Sequence, residues 1–474
     1  MNPIKTVFHN QVIQFLKEKG MLVYYCFGII VIGGVLPFIQ SNFSSSLTCI
    51  IFLTFLFAKP LLADSIAMER EKKTLEPLLS TSLSGKHLFF GKLLFCMAFS
   101  MVHFLLCFTL LLLVSCFTKH SISLSPISWL LLISSILITF FVSSLIGIYI
   151  SAKSADSHMA KNKANLPIYL LCLLLIVYLT ILILQATLIT FIVSIIFFGI
   201  HLLLVISFLC KVQHMKQWNF YDELIKKSNK VTHHSVSSNT IFHSQFYAIL
   251  RHELKYLCSL KTLLINFLFL SITPTIVVCL MQYYTKSYNL KYAIVITTLM
   301  MPRISTNLIA YSVGGEKVYK TGESLLSTPL KIRSILLAKS FVPVLVSICM
   351  LALSSLFMVT LLPVYSYINQ IGEPIPGYSF YQLLLLYPAN ILFGILMIFL
   401  TGSLSILSRT PRQGLYISSI VGFIFSLPTI LILYLAPAPL VWTTLYLFLL
   451  LVAILCFLRK VSTHVSRPMI MSKL

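Results

Sequence analysis

Two polar segments of the chain share many charged, hydroxyl and apolar residues in the same order, 247 positions apart. Glu69–Thr81 returns without a gap as Glu316–Thr328. The recurring positions include Glu69, Thr74, Glu76, Leu78 and Leu79, matched by Glu316, Thr321, Glu323, Leu325 and Leu326. Fixed charges beside an apolar pair are the chemistry of a recognition surface, which a partner must cover.

The first of these segments also has helical periodicity. Leu75, Leu78 and Leu79 fall on one face of a helix by their i, i+3 and i+4 spacing. The second copy keeps the leucine pair but has Gly322 in place of Leu75. We expect a short helix in each segment, with an apolar edge that another part of the chain or a second protein covers. The other interpretation is a mere connecting loop.

Residue patterns typical of catalytic and cofactor sites are missing from the sequence. There is no GxxxxGK(S/T) phosphate loop and no HExxH zinc motif. The 11 Cys include no CxxC pair, and His233-His234 lacks nearby ligands at zinc spacing. We therefore expect no enzymatic activity, no metal site and no cofactor in this chain.

The elements that must position the two segments are long and apolar. Hydrophobic residues make up 58% of the 474 positions and charged residues 10%, against about 25% charged in soluble domains. Many runs exceed the roughly 18 apolar residues that indicate a membrane-spanning helix. Backbone in lipid must satisfy its own hydrogen bonds, so continuous runs indicate helices and not a barrel. The prediction is an all-α polytopic membrane protein.

Twelve spans are predicted, six in each half of the chain. Those of the first half are 21–39, 44–62, 88–117, 127–151, 166–184 and 187–210. Those of the second half are 262–282, 292–312, 335–362, 381–404, 415–435 and 440–458. The domains are then a six-span unit at 1–210, a cytoplasmic linker at 211–240 and a second unit at 241–474. Since six is even, both units begin on the same membrane side and form parallel repeats.

Lysine and arginine predict the orientation. The loops on one side hold 28 of the 35 Lys and Arg, whereas the opposite loops hold three. By the positive-inside rule, both termini and both repeated segments are cytoplasmic, in a multi-pass protein of the cell (inner, cytoplasmic) membrane. The net charge of +23 therefore indicates topology, and no nucleic-acid partner is expected.

Each predicted unit opens with an amphipathic segment. Phe8, Val12, Phe15 and Leu16 share one helical face ahead of the first span. A similar stripe precedes the seventh span and comprises Phe242, Phe246, Ile249, Leu250, Leu254 and Leu257. We expect helices in the cytoplasmic interface, the other interpretation being a polar entry to a span.

Ionisable residues within the predicted spans are few. Lys92 and Lys339 lie near the start of the third and ninth spans, and Lys59 and Arg303 lie toward the cytoplasmic ends of the second and eighth. We expect all four side chains to extend to the membrane interface. No acidic residue falls inside a predicted span, which disfavours a proton or sodium relay.

The pattern Glu, then Thr-Leu-Glu-x-Leu-Leu-x-Thr, then a Lys at the start of the next span, resembles ABC-2 type (type-2 ABC exporter) permeases. The resemblance covers both halves and includes the six-span unit, the interfacial helix and a cytoplasmic coupling helix between the second and third spans. It implies that the ten recurring residues dock on or couple to an ATPase. The family usually has Gly before the Thr, where this chain has Lys73 and Lys320. It often has Pro before the Leu, which Pro329 keeps and Ser82 does not.

The resemblance also implies the function. The chain would be the permease subunit of an ATP-driven exporter, paired with two copies of a separate ATPase subunit that binds ATP. A peptide or bacteriocin, a drug or a lipid-like amphipathic molecule would be the substrate. An ion-coupled secondary carrier is the alternative, since twelve spans in two parallel repeats fit it equally well.

Overall fold

Every secondary-structure element in the described part of this computed structural model is a helix. The structure describes residues 3–35, 37, 43–71, 74–75, 85–118, 125–154, 157–183, 187–213, 250–251, 253–254, 267–268, 271–276, 278–279, 290–318, 332–368, 379–408, 411–434 and 436–464. The chain divides into two compact units, Met1–Val236 and Ser237–Leu474. The predicted linker at 211–240 lies almost wholly outside the described residues and stays a prediction.

The first unit contains seven described helices. They are α1 Pro3–Lys17, α2 Lys19–Ile29, α3 Phe43–Glu71, α4 Gly85–Thr118, α5 Pro126–Lys153, α6 Ser157–Ile183 and α7 Thr187–Gln213. A π-helical turn at Ile30–Val35 extends α2. Ser125 caps α5, since its side chain accepts a hydrogen bond from the N–H of Ser128 and Pro126 follows at the first helical position.

Five long helices and one short helix form most of the described part of the second unit. They are α8 Leu290–Val318, α9 Ile332–Ile368, α10 Phe380–Leu384, α11 Asn390–Leu407, α12 Pro411–Tyr434 and α13 Pro439–His464. A π-helical turn at Leu385–Ala389, which contains Pro388, joins α10 to α11. A proline cannot donate its backbone hydrogen bond, so a widened turn is a physically reasonable accommodation.

Eight helices among the described residues are long and apolar enough to cross a membrane. They are Gly85–Phe117, Pro126–Lys153, Met159–Leu179, Ile189–Val212, Leu337–Leu361, Phe380–Ile406, Gln413–Tyr434 and Pro439–Arg459. These eight correspond to the third to sixth and ninth to twelfth predicted spans. The protein is therefore an all-helical, multi-pass membrane protein.

The remaining four predicted spans stay predictions. A shorter apolar helix, Lys19–Gly34, covers most of the first, and the seventh is described only in part. The second and eighth lie within α3 and α8, each 29 residues long. Both helices run beyond the predicted ends at 62 and 312, so the polar segment expected to begin as a loop at residue 63 begins as helix. No Gly or Pro lies between residues 61 and 71 to end α3 earlier.

Within the first unit, α3 packs against α4, α5 and α6. The amphipathic helix α1 lies on α4, and its apolar stripe is used for that contact. Phe15 packs on Phe99 with ring centroids 4.6 Å apart, and Phe8 on Phe95 at 6.2 Å. The helix that the sequence predicts at this position is confirmed, and part of its apolar face is covered by protein.

In the second unit, α8 packs against α9, α11 and α12, and α11 packs against α13. Small residues bring the crossing helices together in both units. A methyl group added at Gly147 would lie 2.8 Å from the Cβ of Leu62, and one added at Gly402 would lie 3.3 Å from the Cγ1 of Ile309. Close backbone approach at glycine is a common way for membrane helices to pack.

Gly147→Ala should lower the free energy of unfolding by about 1–3 kcal/mol, because its methyl group overlaps Leu62 at a crossing that cannot widen locally. The matched control is Gly199→Ala, at an exposed helix position where an added Cβ meets no described atom within 4 Å. Unfolding of the purified proteins in mixed micelles measures both. Equal midpoints for the two variants would show that the α3–α5 crossing is not tight.

Candidate functional site

Three of the ten predicted docking residues fall within the described residues. Glu69 and Thr74 are described in full, and Glu316 lies in α8. The other seven are Glu76, Leu78, Leu79, Thr321, Glu323, Leu325 and Leu326, and they lie outside the described residues. The part of the first segment that is described is where α3 ends.

Glu69 lies in the last turn of α3, two residues before its end, and is 92% shielded from solvent. Its carboxylate oxygen Oε1 lies 2.7 Å from the Nζ of Lys92 and accepts a hydrogen bond of 3.2 Å from the side chain of Gln11. Its backbone carbonyl accepts from the N–H and the hydroxyl of Thr74, at 2.9 and 3.2 Å. Thr74 thus closes the end of α3, where helical carbonyls lose their ordinary partners. Leu75, on the predicted apolar edge, is buried by this chain itself, which is one of the two kinds of cover that the sequence left open.

Lys92, two turns into α4, is completely buried, with an exposed fraction of 0%. Besides Glu69, its ammonium group donates to the carbonyl oxygen of Ser65 on α3. The expectation that this lysine extends to the membrane interface is wrong. A buried ammonium ion is tolerated because a carboxylate and a carbonyl replace its water shell.

The remaining charges at the end of α3 are also bound by neighbouring helices. Asp64 pairs with Lys161 of α6 at 2.8 Å. Arg70 donates to the carbonyls of Ala152, at 2.6 Å, and Ser154 at the end of α5. Glu71 accepts from the Ser157 hydroxyl at the start of α6, at 2.6 Å. Four successive charged groups therefore bind α3 to α4, α5 and α6.

The second unit contains a chemically equivalent arrangement. Lys339 is buried at 3% exposure, and its ammonium group donates to the carbonyl and hydroxyl of Ser312 on α8, at 3.1 and 3.0 Å. The same offset of 247 positions relates Lys92 to Lys339 and Ser65 to Ser312. Here too the expected extension to the membrane interface is wrong.

A carboxylate of the second site comes from a part of the chain outside the repeated segment. Glu253 Oε1 lies 2.9 Å from the Nζ of Lys339 and accepts a 3.0 Å hydrogen bond from the Ser312 hydroxyl. At the offset of 247, Glu253 corresponds to Thr6 of α1, whereas Glu69 corresponds to Glu316. The lysine and the serine carbonyl recur, and in the second unit a carboxylate also comes from Glu253; the side chain of Glu316 lies outside the described residues.

Sequence reasoning missed two features of these sites. The sequence predicts no acidic residue within the second span because the predicted span ends at residue 62. Asp64 and Glu69 lie beyond that end but in the same helix, and both are buried. The recurrence of Ser65 as Ser312, one helical turn before the repeated glutamate, was a signal available in the sequence. Glu253 had no comparable signal, since its equivalent in the first unit is not acidic.

The two lysine sites are suited to holding helices in place. In each site, a lysine near the start of one long helix forms an ion pair with a glutamate. The same lysine donates a hydrogen bond to a carbonyl near the end of another long helix. Among the described residues, no group of three His, Cys, Asp or Glu side chains is placed to hold a metal ion. Comparison with known proteins finds no matching family model, no matching curated protein and no matching solved structure.

Lys92→Met should destabilise the protein by about 3 kcal/mol, because Glu69 keeps its charge in a buried position without its cation. The double variant Lys92→Met/Glu69→Gln should recover most of that loss, since no buried charge is left at the pair. The measurement is denaturant unfolding in mixed micelles. Lys86→Met, at an exposed position of the same helix, is the control and should change stability by no more than about 0.5 kcal/mol. A double variant as unstable as Lys92→Met would refute the pairing.

In the second unit, the identity of the acid can be tested by suppression. Lys339→Met should be rescued by Glu253→Gln, which removes the unpaired charge and keeps an oxygen for the Ser312 hydroxyl. Glu316→Gln, the change at the repeat-equivalent position, is measured beside it, because the side chain of Glu316 lies outside the described residues. Rescue by Glu316→Gln instead would show that the carboxylate partner is the repeat-equivalent one.

Proposed function

We propose that this chain is the membrane permease subunit of an ATP-driven exporter of the ABC-2 type. One structural observation carries the proposal. The repeated segment begins in the last turn of a helix, and a buried lysine of the next span binds that turn. A surface segment that binds an ATPase needs a rigid connection of this kind to the membrane-spanning helices. The resemblance of the repeated motif to coupling helices supports the same interpretation.

The geometry of the first unit suggests how force would pass inward. Glu69 precedes Thr74 by five residues, and its contact with Lys92 is short and shielded from water. Separating a buried ion pair leaves two uncompensated charges at a cost of about 3–5 kcal/mol. Displacement of the segment would therefore move α3 and α4 together more readily than it would part them.

The proposed assembly contains one copy of this chain and two copies of a separate ATPase. Two fused six-span units, related as parallel repeats, would each supply one coupling helix and one interfacial helix. The ten recurring residues would form the docking surfaces, ATP would be bound by the partner, and both termini would lie in the cytoplasm. A peptide or bacteriocin, a drug or a lipid-like amphipathic molecule is the proposed substrate class, moved outward across the cell membrane.

An ion-coupled secondary carrier is the second candidate, and the buried acids favour it more than the sequence did. Asp64 pairs with Lys161, and Glu69 pairs with Lys92, inside the helix packing. Buried ionisable groups of this kind often bind protons or ions in transporters. These groups lie at one end of α3, beside the repeated segment. A connection that couples an ATPase to the membrane helices would need charged groups at the same place.

Docking is tested by co-purification of the full chain with a candidate ABC ATPase expressed in the same cells. The intact chain should retain two ATPase copies, whereas Leu79→Asp/Leu326→Asp with Glu76→Ala/Glu323→Ala should retain almost none, because charge enters the apolar edge and the flanking acids are lost. The ratio of the two chains in the purified complex is the measurement.

Leu79→Met/Leu326→Met is the matched control, since it keeps both positions apolar and close in volume, and it should retain the partner. Each variant must keep the unfolding midpoint of the intact chain. A well-folded intact chain that retains no ATPase, together with uptake or efflux abolished by a protonophore, would overturn the proposal in favour of the carrier.

A further inference from the structure

Two lysines of the first unit lie over the rings of one aromatic pair. Tyr149 of α5 and Phe208 of α7 pack edge to face, with ring centroids 5.3 Å apart. The Nζ of Lys153 lies 4.8 Å from the Tyr149 centroid, and the Nζ of Lys211 lies 4.9 Å from the Phe208 centroid. Both lysines are exposed. The arrangement thus places one cation over each ring of the pair, on two neighbouring helices.

The helix packing beneath this pair is apolar and fixes its position. Val142 and Ile146 of α5 form a buried cluster with Leu171 of α6, and Phe208 packs against that cluster. Lys153 is the last residue of α5, and Lys211 lies two residues before the end of α7. Both helices are long and apolar enough to span a membrane, so the two cations stand at the same end of two spans.

The charges and surfaces around the pair define its ligand. Within the described residues, neither ammonium group has a carboxylate within ion-pair distance. Toward the middle of the span, α7 exposes a continuous apolar surface that includes Leu202, Leu203 and Ile206. A water-soluble anion would pair with the two cations but would leave the apolar surface uncovered. A phospholipid would pair with the cations through its headgroup and cover the apolar surface with its acyl chains.

We propose that Lys153 and Lys211, held by the Tyr149–Phe208 ring pair, form a binding site for the headgroup of an anionic phospholipid. The phosphate lies between the two ammonium groups, and the acyl chains lie along α7. A lysine that merely anchors a helix end needs no second cation beside it, whereas a headgroup phosphate gains from both. The site is independent of the proposed transport function.

The test is native mass spectrometry of the full chain in detergent, titrated with phosphatidylglycerol and, separately, with phosphatidylcholine. The intact chain should retain phosphatidylglycerol in preference. Lys153→Gln/Lys211→Gln should weaken phosphatidylglycerol binding about 10- to 30-fold, since each lysine near the headgroup contributes roughly 1 kcal/mol. Lys153→Arg/Lys211→Arg should keep the binding, because arginine preserves both the charge and the contact with the ring.

Lys5→Gln/Lys163→Gln is the matched control, with the same loss of charge at two exposed lysines elsewhere in the unit. It should leave phosphatidylglycerol binding unchanged. Equal loss in this control would reduce the effect to net charge and overturn the proposal. So would unchanged binding in Lys153→Gln/Lys211→Gln, or equal retention of phosphatidylcholine by the intact chain.

Discussion

A lysine that no water reaches must find its counter-charge inside the protein, and this constraint organises one end of each unit. Lys92 is fully buried at the start of a long apolar helix, where an unpaired ammonium would cost several kcal/mol. It is stabilised by the Glu69 carboxylate and the Ser65 carbonyl, both on α3. The end of α3 is thereby held against α4, and the polar segment that follows begins from a fixed point.

In each unit a described carboxylate pairs with the buried lysine, Glu69 with Lys92 and Glu253 with Lys339. In the first, the acid belongs to the repeated segment, so a displacement of that segment acts directly on Lys92. In the second, Glu253 comes from near the start of the unit and also accepts from the Ser312 hydroxyl. Lys339 therefore joins α8 to the region around Glu253. A carboxylate beside the lysine is common to both units, and in the second unit one such carboxylate comes from outside the repeated segment.

Hydrophobic run length was sufficient to predict the eight helices that can span a membrane, because length and apolarity are properties of the sequence itself. It failed at the end of α3, where the run was ended at residue 62 because charged residues begin two positions later. Those charges do not end the helix, since Lys161 neutralises Asp64 and carbonyls of α5 bind Arg70. The burial of Lys92 was missed for a related reason. Pairing depends on which residues the fold brings together, and Glu69 and Lys92 are 23 positions apart.

The last turns of α3 act as one body with the helices around them. Leu62 meets Gly147 of α5 too closely for a side chain to be added. One turn further, the hydroxyl of Ser151 on α5 accepts hydrogen bonds from the N–H groups of Ile66 and Ala67, at 3.0 and 2.9 Å. Arg70 then binds the carbonyl end of α5.

These contacts follow one another along the same face of α3, so α3 cannot rotate or slide against α5 without breaking all of them. Asp64 and Glu71 add α6 to the group, and Glu69 adds α4. A force applied at Thr74 is therefore shared among four helices. By contrast, within the described residues α7 packs mainly against α5 and α6 and exposes most of its apolar surface. The unit thus has a firmly joined part beside the repeated segment and a peripheral helix suited to contact with lipid.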